Sequence, residues 1–343
     1  MSPPEPGGRR GSGHAGPLAA PPGARSGPFG STGGGAEGAS GGLEVWLDTD
    51  PGFDDWFAWA LLEADPRVKL HGVSVVAGNA PLPLVLANAQ RIHALHGWRT
   101  PVWAGADRPL VQKQVTAQDV LGSMGMRTVG AALPEAASAL QVGHGVDAMI
   151  ECIRANPRRI TLLAIGPLTN VALAFAKAPE LPSLLAGLVV MGGSQSAGNT
   201  TPVAEFNIYA DPETAGMFGI EVCRQVQGGD VHVGALRAVS ADKRDRAAIF
   251  ADHLDGYIDI ARRRGRRSAP MYDPTPVAWL AHPQWFSLAP ARVDVELTGT
   301  FTRGMTVCEL RVPRRAAPNA EVALSADGAK VMDWAVELLR STL

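Results

Sequence analysis

The sequence is poor in cysteine: Cys152, Cys223 and Cys308 are three among 343 residues, an odd number at no recurring spacing. That excludes a disulfide framework and leaves packing in apolar segments as their role. Charge of either sign is not in excess, and the net charge of −2 argues against general nucleic-acid binding. No apolar run approaches the ~20 residues of a membrane span, so no membrane association is expected. Residues 1–42 are poor in large apolar side chains, being mostly Gly, Pro, Ala and Ser with scattered Arg. Such a stretch cannot offset its ordering entropy and reads as a disordered tail, with no apolar segment of signal-peptide length. The expectation is a soluble, cytoplasmic protein.

With 46% hydrophobic residues, the chain can bury a sizeable core, and 43–343 reads as one α/β domain. Helices are expected over 56–63, 82–96, 146–154 and 168–177, and strands over 69–76, 101–104, 160–165 and 188–191. This alternation implies a mostly parallel central sheet flanked by helices, with its site at the carboxyl ends of the strands. A helix from about 242 to Gly265, strands over 293–297 and 306–311, and a helix over 328–339 complete the domain.

The chemistry starts in Val45-Trp46-Leu47-Asp48-Thr49-Asp50-Pro51-Gly52-Phe53-Asp54-Asp55. An apolar strand breaks at Pro51-Gly52 and delivers four carboxylates. Like charges this close, dipping into a core, require protonation or a hard cation. Oxygen donors without Cys or His point to Ca²⁺ or Mg²⁺ rather than zinc. An EF-hand is excluded by Gly52 and Trp59 at its fifth and twelfth places, and an Asp-x-Asp-x-Thr phosphatase by Gly52. The plain alternative is an acidic, capped helix start.

Further polar residues follow later strands. Gly78-Asn79 offers a donor and an acceptor suited to sugar hydroxyls, or an Asn turn. Thr169 and Asn170 are expected to bond locally in a strand-to-helix turn. Glu205 and Asn207 share a face if their segment is extended, a plausible sugar clamp. Asp211 and Asp273 each precede a proline-headed helix and read as caps. The basic run Arg262-Arg263-Arg264-Gly265-Arg266-Arg267 reads either as a solvated helix end or as a guide for an anionic substrate.

These blocks, in order and spacing, resemble the inosine-uridine preferring nucleoside hydrolases over about residues 43–340. The resemblance implies that Asp50, Asp55, Asp273 and the backbone carbonyl of Ile165 hold a Ca²⁺. Asp50 would be general base toward a water on that ion, and Asp54, Asn79, Asn199, Glu205 and Asn207 would bind the ribose. Asp48 would support the loop. The implied reaction is hydrolysis of the N-glycosidic bond of a ribonucleoside, in a homodimer or homotetramer whose partner is a small-molecule nucleoside.

Many members take leaving-group acids from two histidines, and the matching positions here hold Leu121 and Tyr272. Tyr272 is therefore a candidate acid. Two alternatives stay open, a base that leaves unprotonated or an acid from the variable loop or the 242–267 helix. His144 reads as an exposed loop residue, and a familiar Asp-Val-Thr block is altered to Asp230-Val231-His232. A silent ribose- or nucleoside-binding protein on the same fold is the alternative to the enzyme.

Overall fold

The structure, a computed structural model, describes residues 42–216, 226–227, 244–266, 269–311 and 316–343. The apolar run at its start forms β1 (Leu43–Thr49), buried from Glu44 onward because strands flank it on both sides. Side chains alternate across a strand, and here they feed two cores. Val45 and Leu47 join the cluster containing Trp56, Phe57, Phe250 and Met332, while Trp46 packs with Met149, Ile153 and Val171 on the other face.

In chain order β1 is followed by α1 (Phe53–Ala64), β2 (Val68–Val75), α2 (Leu82–His96), β3 (Val102–Ala104) and the short α3 (Gln118–Leu121). Then come α4 (Gly145–Ala155), β4 (Ile160–Ala164), α5 (Thr169–Lys177), α6 (Leu181–Leu184) and β5 (Gly187–Val190). The five strands are parallel in the order β3-β2-β1-β4-β5. The order reverses between β1 and β4, so their connections leave in opposite directions. A crevice opens there at the carboxyl ends.

Beyond β5 lie α7 (Phe206–Ala210), α8 (Pro212–Ala215), β6 (Val226–Gln227), α9 (Arg244–Arg263), β7 (Pro270–Met271) and α10 (Pro274–Ala281). The chain closes with β8 (Phe286–Val295), β9 (Thr306–Glu309), β10 (Ala320–Ala326) and α11 (Gly328–Thr342). β10, β8 and β9 form a separate antiparallel sheet in that order. Among the differences from the sequence expectation, β8 starts seven residues early, at Phe286 rather than 293, with Pro290 paired opposite Glu321, and β10 was not anticipated.

Among the described residues no helix is long and apolar enough to cross a membrane. Cys152 and Cys308 are unpaired and half-buried, while Cys223 and the 1–41 part of the expected tail lie outside the described residues.

Candidate active site

The acidic turn is held from within. Gly52, which starts α1, has no side chain to cap the helix, and Asp55 folds back to do that work. Asp55 Oδ1 accepts the Thr49 hydroxyl at 2.5 Å and the Asp50 amide at 3.1 Å; Oδ2 accepts the Gly52 amide at 2.9 Å and Asn79 Nδ2 at 3.1 Å. Asn79, at the exit of β2, also donates its amide to Asp50 Oδ2 at 2.6 Å and Nδ2 to the Asp50 carbonyl at 3.0 Å. It is thus a brace between two strand exits, not a simple turn residue.

Two glycines wall the Asp50 carboxylate. A Cβ on Gly78 would overlap Oδ2, and one on Gly166 would lie 2.7 Å from Oδ1. Gly78→Ala is accordingly expected to displace Asp50, and were Asp50 to act on a substrate, a shift of roughly 1 Å would lower kcat by about 100-fold. Steady-state kinetics beside a thermal melt separates this from unfolding.

Asp273 stands at the N-terminus of α10, yet its side chain makes no capping bond. Oxygens of Asp54, Asp55 and Asp273 lie within 4.8 Å of one another. Asp50 borders the same cavity outside that trio, although its charge reaches Asp273. The four carboxyl residues are between 1% and 9% exposed. Burial first, and then mutual repulsion, pushes Asp50 and Asp273 well above the usual carboxylate range. Asp54 is raised to about 7 by the same causes despite a Tyr257 hydroxyl at 3.1 Å, and Asp55 is raised by burial. An all-oxygen set of mutually repelling, desolvated carboxylates fits a hard divalent cation.

Asp48 sits behind this group. Its Oδ1 accepts the Ser74 hydroxyl at 2.5 Å and Asn170 Nδ2 at 2.7 Å, and burial raises it to about 7. Asn170 therefore does not bond locally as expected; its Oδ1 accepts the Ala106 amide, joining the exits of β1 and β3. Thr169 likewise reaches across the chain, donating to Asp211 Oδ2 at 2.6 Å. Asp211 also accepts the Leu110 amide and makes no side-chain cap on α8, so the cap expectation is corrected.

Glu205 is extended, but Asn207 lies in the helix that follows it, so the two do not share the face of one extended segment. Glu205 caps α7, accepting the Asn207 amide at 3.0 Å, the Ile208 amide at 3.3 Å and the Gly193 amide at 3.0 Å. Asn207 Nδ2 donates to the carbonyls of Ile165 at 2.7 Å and Met191 at 3.0 Å, which leaves its amide oxygen as the atom available to a ligand. The Ile165 carbonyl keeps a second lone pair. Asn199 fixes the loop through its Oδ1 on the Phe206 amide at 2.8 Å and also hydrogen-bonds Glu205 and Tyr272.

Asp50, Asp54, Asn79, Ile165, Asn199, Glu205, Asn207 and Asp273 line one cavity of about 270 Å³, near the low end of small-molecule pockets, whereas Asp48, Asp55, Thr169, Asn170 and Asp211 lie behind it. Leu121 and Tyr272 are on its wall. His144 is not: it is exposed and caps α4, accepting the Val146 amide at 3.2 Å. Asp230, Val231 and His232 lie outside the described residues.

Sequence reasoning missed Tyr257 and did not separate Arg264 and Arg266 from their run; all three line the cavity. The spacing of Tyr257, Ile260 and Ala261 along α9, continued by Arg264 just past its end, is the helical period that marks one face, and it was the available signal. The solvated-end reading holds for Arg263, Arg264 and Arg266, all exposed, with Arg263 paired to Asp259, while Arg264 and Arg266 also border the cavity.

The model of the inosine-uridine preferring nucleoside hydrolase family matches residues 45–333. The pyrimidine-specific ribonucleoside hydrolase RihA of Salmonella gallinarum is 34% identical over 311 residues, covering 87% of this chain and 98% of that protein. RihA of Citrobacter koseri is 35% identical over 310 residues with the same coverage. A solved plant nucleoside hydrolase, PpNRh1, has a TM-score of 0.77 at 25% identity, covering 87% of this chain and 99% of that one. A purine-preferring ribonucleoside hydrolase from Gardnerella vaginalis shares the fold, with a TM-score of 0.78 at 23% identity over 87% of this chain and 98% of that one.

Proposed function

Because the chain belongs to the inosine-uridine preferring nucleoside hydrolase family, we propose that it cleaves pyrimidine ribonucleosides to base and ribose with a calcium ion among its buried carboxylates. The observation that carries this reading is the convergence of Asp54, Asp55 and Asp273, with Asp50 beside them, on a cavity edged by Asn79, Glu205 and Asn207. The pyrimidine preference is taken from the relatives' activity. The reading extends to a dimer or tetramer in the cytoplasm.

Asp50, Asp55, Asp273 and the Ile165 carbonyl would hold the ion, and Asp54 would bind a ribose hydroxyl. Bound there, the ion would draw ribose hydroxyls and a water into place and make that water easier to deprotonate. Asp50, kept in one position by the Asn79 amide and the two glycine walls, takes the proton of the attacking water. As the bond from the anomeric carbon to the base lengthens, positive charge grows on the sugar, and the surrounding carboxylates stabilise it. Asn79 and Asn207 have their amide nitrogens committed to protein acceptors, so each offers its oxygen to a sugar hydroxyl.

Reducing-sugar release from purine, pyrimidine and nicotinamide ribosides, with Ca²⁺ and with a chelator, tests the reading. Ribose is expected fastest from uridine and cytidine, lost with chelator and restored by Ca²⁺. Release from purine ribosides alone would remove the pyrimidine assignment, and turnover indifferent to chelator would remove the ion. Thermal stabilisation by ribosides without sugar release would instead describe a binding protein on this fold.

A further inference from the structure

Resting on the nucleoside-hydrolase reading, we propose that Arg264 and Arg266 stabilise the negative charge that develops on the departing base, so that the base leaves as an anion without a protein acid. The geometry begins at the end of α9. The Arg264 amide turns back to the Ile260 and Ala261 carbonyls at 3.3 and 3.1 Å, the Gly265 amide to Arg262 at 2.9 Å and the Arg266 amide to Ala261 at 3.0 Å. Gly265 takes φ +73°, the left-handed geometry that lets a helix stop in one residue. That reversal puts Arg264 and Arg266, on either side of Gly265, against the cavity.

Neither arginine forms an ion pair among the described residues, although Asp119 lines the same cavity. Arg266 does hydrogen-bond the Tyr272 phenol, which fixes its direction. The wall beside them includes the apolar Leu121 and Ile260, and among the described residues no histidine lines the cavity. The cavity is therefore polarised, with buried carboxylates at the strand ends and two guanidiniums on the wall.

Cleavage of a riboside separates charge in that sense, positive on the sugar and negative on the base. A neutral pyrimidine in the ground state gains little from the arginines, while the transition state gains more, which is the condition for acceleration. The balance is complete within the proposed site. A water oxygen bonds to the anomeric carbon, its proton goes to Asp50, and the bond to the ring nitrogen breaks with its electron pair. That pair spreads onto the ring carbonyl oxygens facing the guanidiniums, and the base takes a proton from solvent after release.

The test compares uridine with 4-nitrophenyl β-D-ribofuranoside, whose leaving group is stable as an anion in water. In Arg264→Gln/Arg266→Gln, kcat on uridine is expected to fall about 100-fold, the loss typical of a removed transition-state donor. The loss on the nitrophenyl riboside should be at least about tenfold smaller, and Arg264→Lys/Arg266→Lys should recover part of the uridine rate. Both arginines are exposed, so the fold should persist. Equal losses on both substrates, no loss on uridine, or a loss confined to KM would overturn the proposal. Should the wild type cleave the nitrophenyl riboside but not uridine, the pyrimidine assignment fails alone; the same ratio, taken with the riboside it does cleave, decides the arginine role.

Discussion

Asp50→Asn is expected to lower kcat by about 10³- to 10⁴-fold, at the upper end of what a positioned proton acceptor contributes. The substitution keeps the side chain's size, and an amide oxygen can still accept the Asn79 amide that holds Asp50 Oδ2 at 2.6 Å. The glycine walls at Gly78 and Gly166 therefore need not move. What disappears is a basic oxygen beside the cavity, so KM should change far less than kcat. Without a cation, the neutral side chain should also raise the melting temperature, because it removes one member of a repelling, buried group. A variant retaining kcat within about tenfold would assign the proton to another acceptor.

Removal of the cation should make the protein less stable as pH rises, and calcium should abolish that dependence. Asp50, Asp54, Asp55 and Asp273 all titrate higher in the folded protein than the ordinary 3.8, Asp54 at about 7. The metal-free folded state thus binds more protons than the unfolded chain between about pH 4 and 7. Stability is full below the unfolded value and is lost as pH rises through the folded values. For the group together the loss is on the order of a few kcal/mol. A ligand at 100 to 1,000 times its Kd returns about 3 to 4 kcal/mol, enough to offset it. Thermal melts at pH 5 and 7.5, with chelator and with Ca²⁺, read this directly, and Asp273→Asn should weaken both the pH slope and the calcium response. Melts indifferent to calcium at both pH values would refute a cation at this site.

The central sheet was legible because each parallel strand is a short apolar run bounded by Gly or Pro, and α2 was read to the residue at Leu82–His96. The acidic turn was legible because four carboxylates on a buried strand end have few physical excuses. Thr169 and Asn170 were misread for the opposite reason. Their residue types favour local bonds, and nothing nearby in sequence announces Asp211, 42 positions away, or Asp48, 122 positions away. Glu205 and Asn207 both reach the cavity, but not from one extended segment, because a cap followed by a one-turn helix carries too little periodicity to detect. Within the arginine run, charge alone cannot distinguish Arg263, turned to Asp259, from Arg264, turned to the cavity. The packing of α9 decides that, and it is not local.

The carboxylate group is also drawn from opposite ends of the chain. Asp54 and Asp55 are made more than 200 residues before Asp273, which at about 5 to 20 residues per second is a delay of roughly 10 to 45 seconds. During that interval a nascent chain carries β1 and α1, with Trp56, Phe57 and Trp59 among their apolar side chains, and lacks the α9 and α11 residues that later cover them. The acidic turn between those two elements then acts as a charged gatekeeper against premature association. On that principle, the same aspartates that crowd one another in the finished enzyme would also disfavour association of this segment while the rest is being made.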